Sequence, residues 1–314
     1  MEEKKFDKNS IIGFALIFII VMYMMFNSQK EAQKEQAEKA KTEAINKAKK
    51  AKEAATKTIE KTIVDTTASD TVKLQKLQSS LGAFAYSATL PSAKNDFKII
   101  ENDLVFLKIA NKGGYIIEAK LKKYEKFKKG SGQIVELIKD NNASFNLELH
   151  TKDNRILNTK DLFFEPTLTS VDGNQILSMK LKASPTSYLE YIYVIKPNDY
   201  MIDFDIKSQG LNQVLNTAKS PNLAWDLKAF RNEKSITYED RYTEVYFEHK
   251  DGKIDYTGVS GQGDEDAEKT TFIAFKQHFF SSILLTSTPF ETSKLQSEKI
   301  FTDEQTDTIF TKQL

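Results

Sequence analysis

From about residue 96 onward, apolar and polar residues alternate along the chain with a period of two. Tyr115, Ile117, Ala119 and Leu121 alternate with Glu118, Lys120 and Lys122; Phe145, Leu147 and Leu149 alternate with Asn146, Glu148 and His150; Ile202, Phe204 and Ile206 alternate with Asp203, Asp205 and Lys207. Successive side chains of a strand point to opposite faces, so each run predicts a half-buried strand. Turn-forming clusters stand between such runs: "NKGG" (Asn111 to Gly114), "PND" (Pro197 to Asp199) and "KDGK" (Lys250 to Lys253). They predict tight reversals between antiparallel neighbours. Many short strands without intervening apolar-periodic helices predict a mainly β chain with one large antiparallel β-sandwich domain over 96–314.

Upstream the pattern changes three times. An apolar run starts at Ile11 and continues without a charge to Phe26. With its flanking polar residues it is a short match to the roughly 17–25 residues a bilayer core demands. A cleaved signal peptide is the competing reading, but the run exceeds the usual apolar region of about 7–15 residues and "MFNSQKEAQK" offers no small-x-small cleavage site. Residues 1–28 therefore read as one N-terminal transmembrane signal anchor. Lysines flank it on both sides, so orientation is not set by their count; a long downstream domain translocates largely regardless of charge, which makes the short N-terminal tail the cytoplasmic side. Residues 29–62 are almost pure Ala, Lys, Glu, Gln and Thr, with Glu35 and Lys39, Glu43 and Lys47, and Glu53 and Lys57 at the favourable spacing of four. This predicts a charged helical tether of roughly 50 Å at 1.5 Å per residue. Its thin alanine stripe argues against coiled-coil pairing. Residues 63–95, rich in Ser, Thr and Ala, read as a linker running into the domain edge.

Charge and composition mainly exclude. The formal net charge is +1 and the pI about 7.7, which leaves no basic excess for nucleic acid. Cysteine is absent, removing disulfides, thiolate metal sites and cysteine nucleophiles. The three histidines, His150, His249 and His278, have no two-ligand spacing that would hold zinc. There is no GxSxG, P-loop or GxGxxG motif, and "SGQGDEDAE" (Ser260 to Glu268) lacks the ligand order of an EF-hand, so its acids read as a solvated loop. No catalytic, cofactor-binding or metal residue is assigned. Because large sandwiches often bind sugars, Trp225 in "NLAWDLKAF" is a possible stacking platform; its alternation with Leu223 and Leu227 favours a core tryptophan on a strand.

The most apolar stretch after the anchor is "TTFIAFKQHFFSSILL", Thr270 to Leu285. As a strand it would place Ile273, Phe275, Phe279, Ile283 and Leu285 on one face; as a short helix, Phe272, Phe275, Phe279 and Ile283 would line up. Both conformations predict an apolar core face, with Lys276, Gln277 and His278 as a polar interruption.

Several segments, in order, resemble YidC-type membrane protein insertases of Gram-negative bacteria, specifically their N-terminal anchor and large periplasmic domain. "KKFDKNSIIGFALIFIIVMYMMF" precedes the polar tether, and "IENDLVFLKIANKGGYIIEAKLKKY" is similar to the family's opening hairpin, with Gly113 and Gly114 at the turn and Tyr124 closing the strand. "YLEYIYVIKPNDYMIDFDI" resembles its strand, turn, Tyr, strand element. "TTFIAFKQHFFSSILL" resembles its aromatic signature, with Phe272 where tryptophan is frequent and Ala274, Gln277, Phe279 and Phe280 matching. These signature residues are structural rather than catalytic. The resemblance implies a periplasmic β-supersandwich and an inner-membrane protein that inserts and folds nascent integral membrane proteins, alone or with Sec translocon components. It also implies five further transmembrane helices that this sequence does not contain, so the chain reads as ending at Leu314 before that domain is complete. The alternative from another class is a membrane-anchored carbohydrate-binding or mutarotase-like sandwich protein.

Overall fold

The computed structural model describes residues 70–257 and 263–299, and the backbone of 308–313. The expected anchor at 11–26 and the tether at 29–62 lie outside the described residues. Among those described, no helix is long and apolar enough to cross a membrane.

Within the stretch expected to be linker, residues 70–88 are helical. Helix α1 (Asp70–Leu81) is followed by a 3-10 turn, Gly82–Phe84, and a short helix α2 (Ala85–Ala88). Leu77, Leu81, Phe84 and Ala85 are buried. The spacing of four and three between the first three puts them on one helical face, and that apolar stripe holds the segment on the domain. Gly82, in the left-handed region (φ +58), ends α1 where a Cβ would be strained. Arg155 donates from Nε and Nη2 to the Ser79 carbonyl at 3.2 and 3.1 Å, giving one of the last α1 carbonyls a cationic partner. The compact unit that contains these helices spans Asp65–Leu314.

Among the described residues, the strands form three antiparallel sheets. Strands β1 (Phe97–Glu101), β2 (Val105–Ala110), β3 (Ile116–Glu125) and β4 (Ile134–Ile138) form a four-stranded meander. Next come β5 (Ala143–His150) and β6 (Ile156–Asn158), then a second meander of β7 (Glu165–Val171), β8 (Asn174–Lys182), β9 (Tyr188–Ile195) and β10 (Ile202–Gln209). Strand β11 (Asn222–Phe230), helix α3 (Ile236–Asp240), β12 (Glu244–Glu248), β13 (Ile254–Tyr256), β14 (Gly263–Lys276), β15 (Ser281–Lys299) and β16 (Thr308–Gln313) follow. The third sheet has eight strands in the order β13-β12-β14-β15-β16-β11-β5-β6. The protein is mainly β, and the three predicted turns all close hairpins, between β2 and β3, β9 and β10, and β12 and β13.

Two interfaces make the core. Ile138 of β4 packs with Leu227, Val245, Phe247, Ile273, Phe275 and Leu295 of the large sheet. On the second meander, the fully buried Tyr191 contacts Phe164 at 4.9 Å and Phe145 of β5 edge-on at 6.1 Å. The Gly113–Gly114 turn is pinned between them. Gly114 has φ +66, a Cβ there would lie 3.0 Å from the buried Phe164 ring, and its carbonyl accepts from the Tyr193 hydroxyl at 2.7 Å. Gly113 (φ +86) donates its N–H to the Leu162 carbonyl at 2.8 Å. Both positive φ values and close approach require glycine here. The acids of "GDEDAE" are exposed strand residues of β14, not a loop: the long β14–β15 hairpin continues pairing through Gly263↔Ser297.

Candidate functional site

The phenylalanine-rich stretch is neither one strand nor one helix. Residues up to Lys276 belong to β14, the chain reverses over Gln277–Phe280, and β15 begins at Ser281, paired with Lys276. Gln277 closes the turn by donating its N–H to the Phe280 carbonyl at 2.8 Å. This reversal separates the two halves of the expected apolar face. Ile273, Ala274 and Phe275 are core, whereas Phe279 is 70% exposed, Ile283 49% and Leu285 55%. The expectation that all these apolar residues are core is thus corrected.

Those exposed residues border a groove of about 1270 Å³ to which all three sheets contribute. Its walls include Leu121 of β3, Leu137 of β4, Phe145 of β5, Phe204 of β10 and Trp225 of β11. Trp225 is half-buried and meets the Phe275 ring at a tilt, centroids 4.2 Å apart, so it is groove wall as well as core, where sequence alternation favoured core. Two clusters of rings stand at the groove's edge. Tyr124 meets Phe280 edge-on at 5.4 Å and Tyr200 at 6.3 Å; His278 contacts Phe279 at 4.1 Å, Tyr242 at 4.6 Å and Tyr238 at 5.2 Å. Of the family-signature residues, Gly113, Gly114, Ala274 and Gln277 thus serve the frame, and Tyr124, Phe279 and Phe280 form the rim.

A buried polar network holds that rim in place. Ser235 caps α3 by accepting from the Tyr238 N–H at 3.2 Å, and the helix carries Glu239 inward, 1% exposed. Its carboxylate accepts from the Asn232 N–H at 3.0 and 3.2 Å, the Glu233 N–H at 3.0 Å and Gln277 Nε2 at 3.0 Å. Gln277 Nε2 also donates to the Phe230 carbonyl at 2.7 Å. The hairpin turn, the β11–α3 loop and α3 therefore meet on one side chain. Burial raises the Glu239 pKa, against the backbone donors that lower it. His278 Nδ1 lies 2.6 Å from Glu233 Oε1 at the edge of this network. From the opposite side the β3–β4 loop is tied in: Phe127, in the left-handed region (φ 65), donates its N–H to the Asn232 carbonyl at 2.8 Å, and Glu125 accepts from the N–H groups of Gly130 and Gly132.

Among the described residues no three His, Cys, Asp or Glu side chains come together to hold a metal ion. His150 lies 3.6 Å from Glu148 and His249 lies 3.5 Å from Asp255, both outside the groove lining. What the arrangement offers is apolar and aromatic contact bordered by lysine. Sequence reasoning did not assign Tyr200, Met201, Phe127, Lys128, Lys129, Lys234 or Tyr238 to a site. The signal available was "KKYEKFKKGSG" (Lys122 to Gly132), five lysines and one glutamate around two aromatic rings, a composition that a strand-connecting turn does not need.

The model of the YidC periplasmic domain family matches residues 99–313. The chain is 30% identical over 303 residues to the membrane protein insertase YidC of Parabacteroides distasonis, an alignment that covers 94% of this chain and 46% of that protein. It is 30% identical over 297 residues to the YidC of Bacteroides fragilis, covering 93% of this chain and 45% of that one. The chain therefore spans about half the length of the curated relatives it matches. A galactose mutarotase related enzyme from Lactobacillus acidophilus aligns with 69% of this chain and 84% of its own at 12% identity, but a TM-score of 0.35 carries no argument about fold or activity.

Proposed function

Because this chain belongs to the YidC periplasmic domain family, we propose that it forms the anchor and periplasmic portion of an insertase that inserts and folds integral membrane proteins, alone or with the Sec translocon. The carrying observation is the family match over 99–313, which takes in every described strand but the first two residues of β1. In this reading residues 1–28 anchor the protein in the bacterial inner membrane with the N-terminus cytoplasmic. Residues 29–62 form the tether, and the domain stands in the periplasm. An insertase lowers the cost of carrying polar flanks through hydrocarbon, where an unsatisfied polar group costs several kcal/mol, about 4–8 on a water-to-cyclohexane scale. This portion acts by contact rather than by bond chemistry: it is not an enzyme and uses no cofactor.

Depletion of the complete protein in its own host tests the function. Newly made inner-membrane proteins are expected to lose their membrane-protected fragments after protease treatment. Unchanged protection would overturn the reading. A photo-crosslinker at Tyr124 in intact cells tests the partners separately: adducts with nascent membrane proteins or translocon subunits are expected, and adducts with neither would remove this face as their contact.

A further inference from the structure

The rim of the groove has the composition of a membrane-interface contact, and we propose that this face of the domain docks on an anionic lipid surface. Tyr200, Met201, Tyr238 and Phe279 are exposed along the mouth, and Phe279 sits at the apex of the β14–β15 reversal, where it projects 70% exposed. Aromatic rings with one polar edge settle at the headgroup level, and exposed apolar apices enter the acyl boundary. Interleaved with them are Lys128, Lys129 and Lys234, exposed at the mouth and, among the described residues, without an ion-pair partner. The nearby acids are already engaged. Glu125 accepts from Gly130 and Gly132, Asp199 from the Met201 N–H, and Glu233 lies against His278.

Accepting a backbone N–H does not neutralise a carboxylate, but the three lysines outnumber the two carboxylates that line the groove, Glu125 and Glu233, and that surplus attracts an anionic bilayer. Phe127, 37% exposed, lies beside these lysines with the Arg231 guanidinium 5.7 Å from its ring centre. An acidic polypeptide would match the lysines as well. The lipid surface is favoured because Phe127, Tyr200, Met201 and Phe279 are exposed on the connections between strands at the mouth, outside the groove's apolar walls, and because the same sequence carries an uncharged apolar run at 11–26 that would keep the domain within a tether length of a bilayer. This inference rests on the anchor at residues 1–28 proposed above, and not on the insertase activity.

The chain contains no cysteine, so one engineered thiol gives a unique probe position. The full chain is placed through its own anchor in nanodiscs of phosphatidylcholine, with or without phosphatidylglycerol, and labelled with a polarity-sensitive fluorophore at Phe279→Cys. A second preparation is labelled at Ile156→Cys, exposed on β6 opposite His150. That position is about 17 Å along β5 from Phe145 at the groove. The Phe279 probe is expected to shift to the blue and to be quenched by spin-labelled lipid in the anionic discs only. The Ile156 probe should not respond. Reversal of charge at Lys128, Lys129 and Lys234, or raised salt, should return the emission to its aqueous value while the circular dichroism stays unchanged. An aqueous emission in every lipid mixture would overturn the proposal, as would equal responses at both positions or a shift indifferent to charge reversal. A shift seen only on adding an acidic apolar peptide would assign the face to a polypeptide instead.

Discussion

The two sides of the Gln277–Phe280 reversal have nearly the same composition and opposite fates. On β14, Ile273 and Phe275 are 0% and 3% exposed and join the packing between β4 and the large sheet. On the turn and β15, Phe279, Ile283 and Leu285 are half to two-thirds in water around the groove. The same residue types thus do two kinds of work a few positions apart, and what separates them is the reversal and the network that fixes it, not hydrophobicity. Burial of a core phenylalanine contributes stability in proportion to area removed from water. An exposed one contributes contact area for something else.

Breaking the comparison at its buried end has the largest expected effect. Phe275→Ala removes a ring that packs against Trp225 and pairs with Val245 across the sheet, and should cost about 3–5 kcal/mol in urea unfolding, with Trp225 emission reporting the loosened wall. Next, Gly114→Ala forces a Cβ into the Phe164 ring at a positive φ and should cost roughly 2 kcal/mol or more, measured as a lowered midpoint with unchanged slope.

Smaller in magnitude, but sharper in what it isolates, is Glu239→Gln. A glutamine has one acceptor oxygen where the carboxylate uses two, so a buried donor is orphaned at about 1–3 kcal/mol. The sign of its pH effect follows from burial. With a folded pKa above the unfolded value of about 4.3, the carboxyl contributes stability that is fully present below that value and is lost as pH rises through the folded one. The wild-type minus Glu239→Gln stability difference should therefore decline as pH climbs from the acid side toward the raised pKa. A difference that grew with pH over that interval would mean the donors outweigh burial.

Much of the fold could be read locally because its determinants are local. Period-two alternation marked β3, β5 and β10, and Gly113, Gly114, Asn198 and Gly252 supplied the positive-φ positions that tight turns need. Helix α1 was missed because Leu77, Leu81 and Phe84 make a narrow stripe in an otherwise Ser- and Gln-rich run, although their four-and-three spacing was there to be counted. Tyr124, Phe279 and Phe280 were legible as signature positions, but the one rim they form was not. It joins Tyr124, Tyr200 and Phe280, which are remote in sequence, and a phenylalanine at a turn looks the same in sequence whether it faces core or water. Gln277 was legible as a signature position but not as the side chain that ties turn, loop and α3 together through Glu239.

The central claim, that the rim is built for contact and not for stability, is tested most directly by urea unfolding of the triple variant Phe279→Ala, Ile283→Ser, Leu285→Ser. Surface substitutions stay within about 0.5 kcal/mol each, so the midpoint should sit close to that of the unsubstituted protein with the same slope. A loss of about 3 kcal/mol or more, the size expected of a single core phenylalanine, would show that the groove closes in solution and that these residues are core after all.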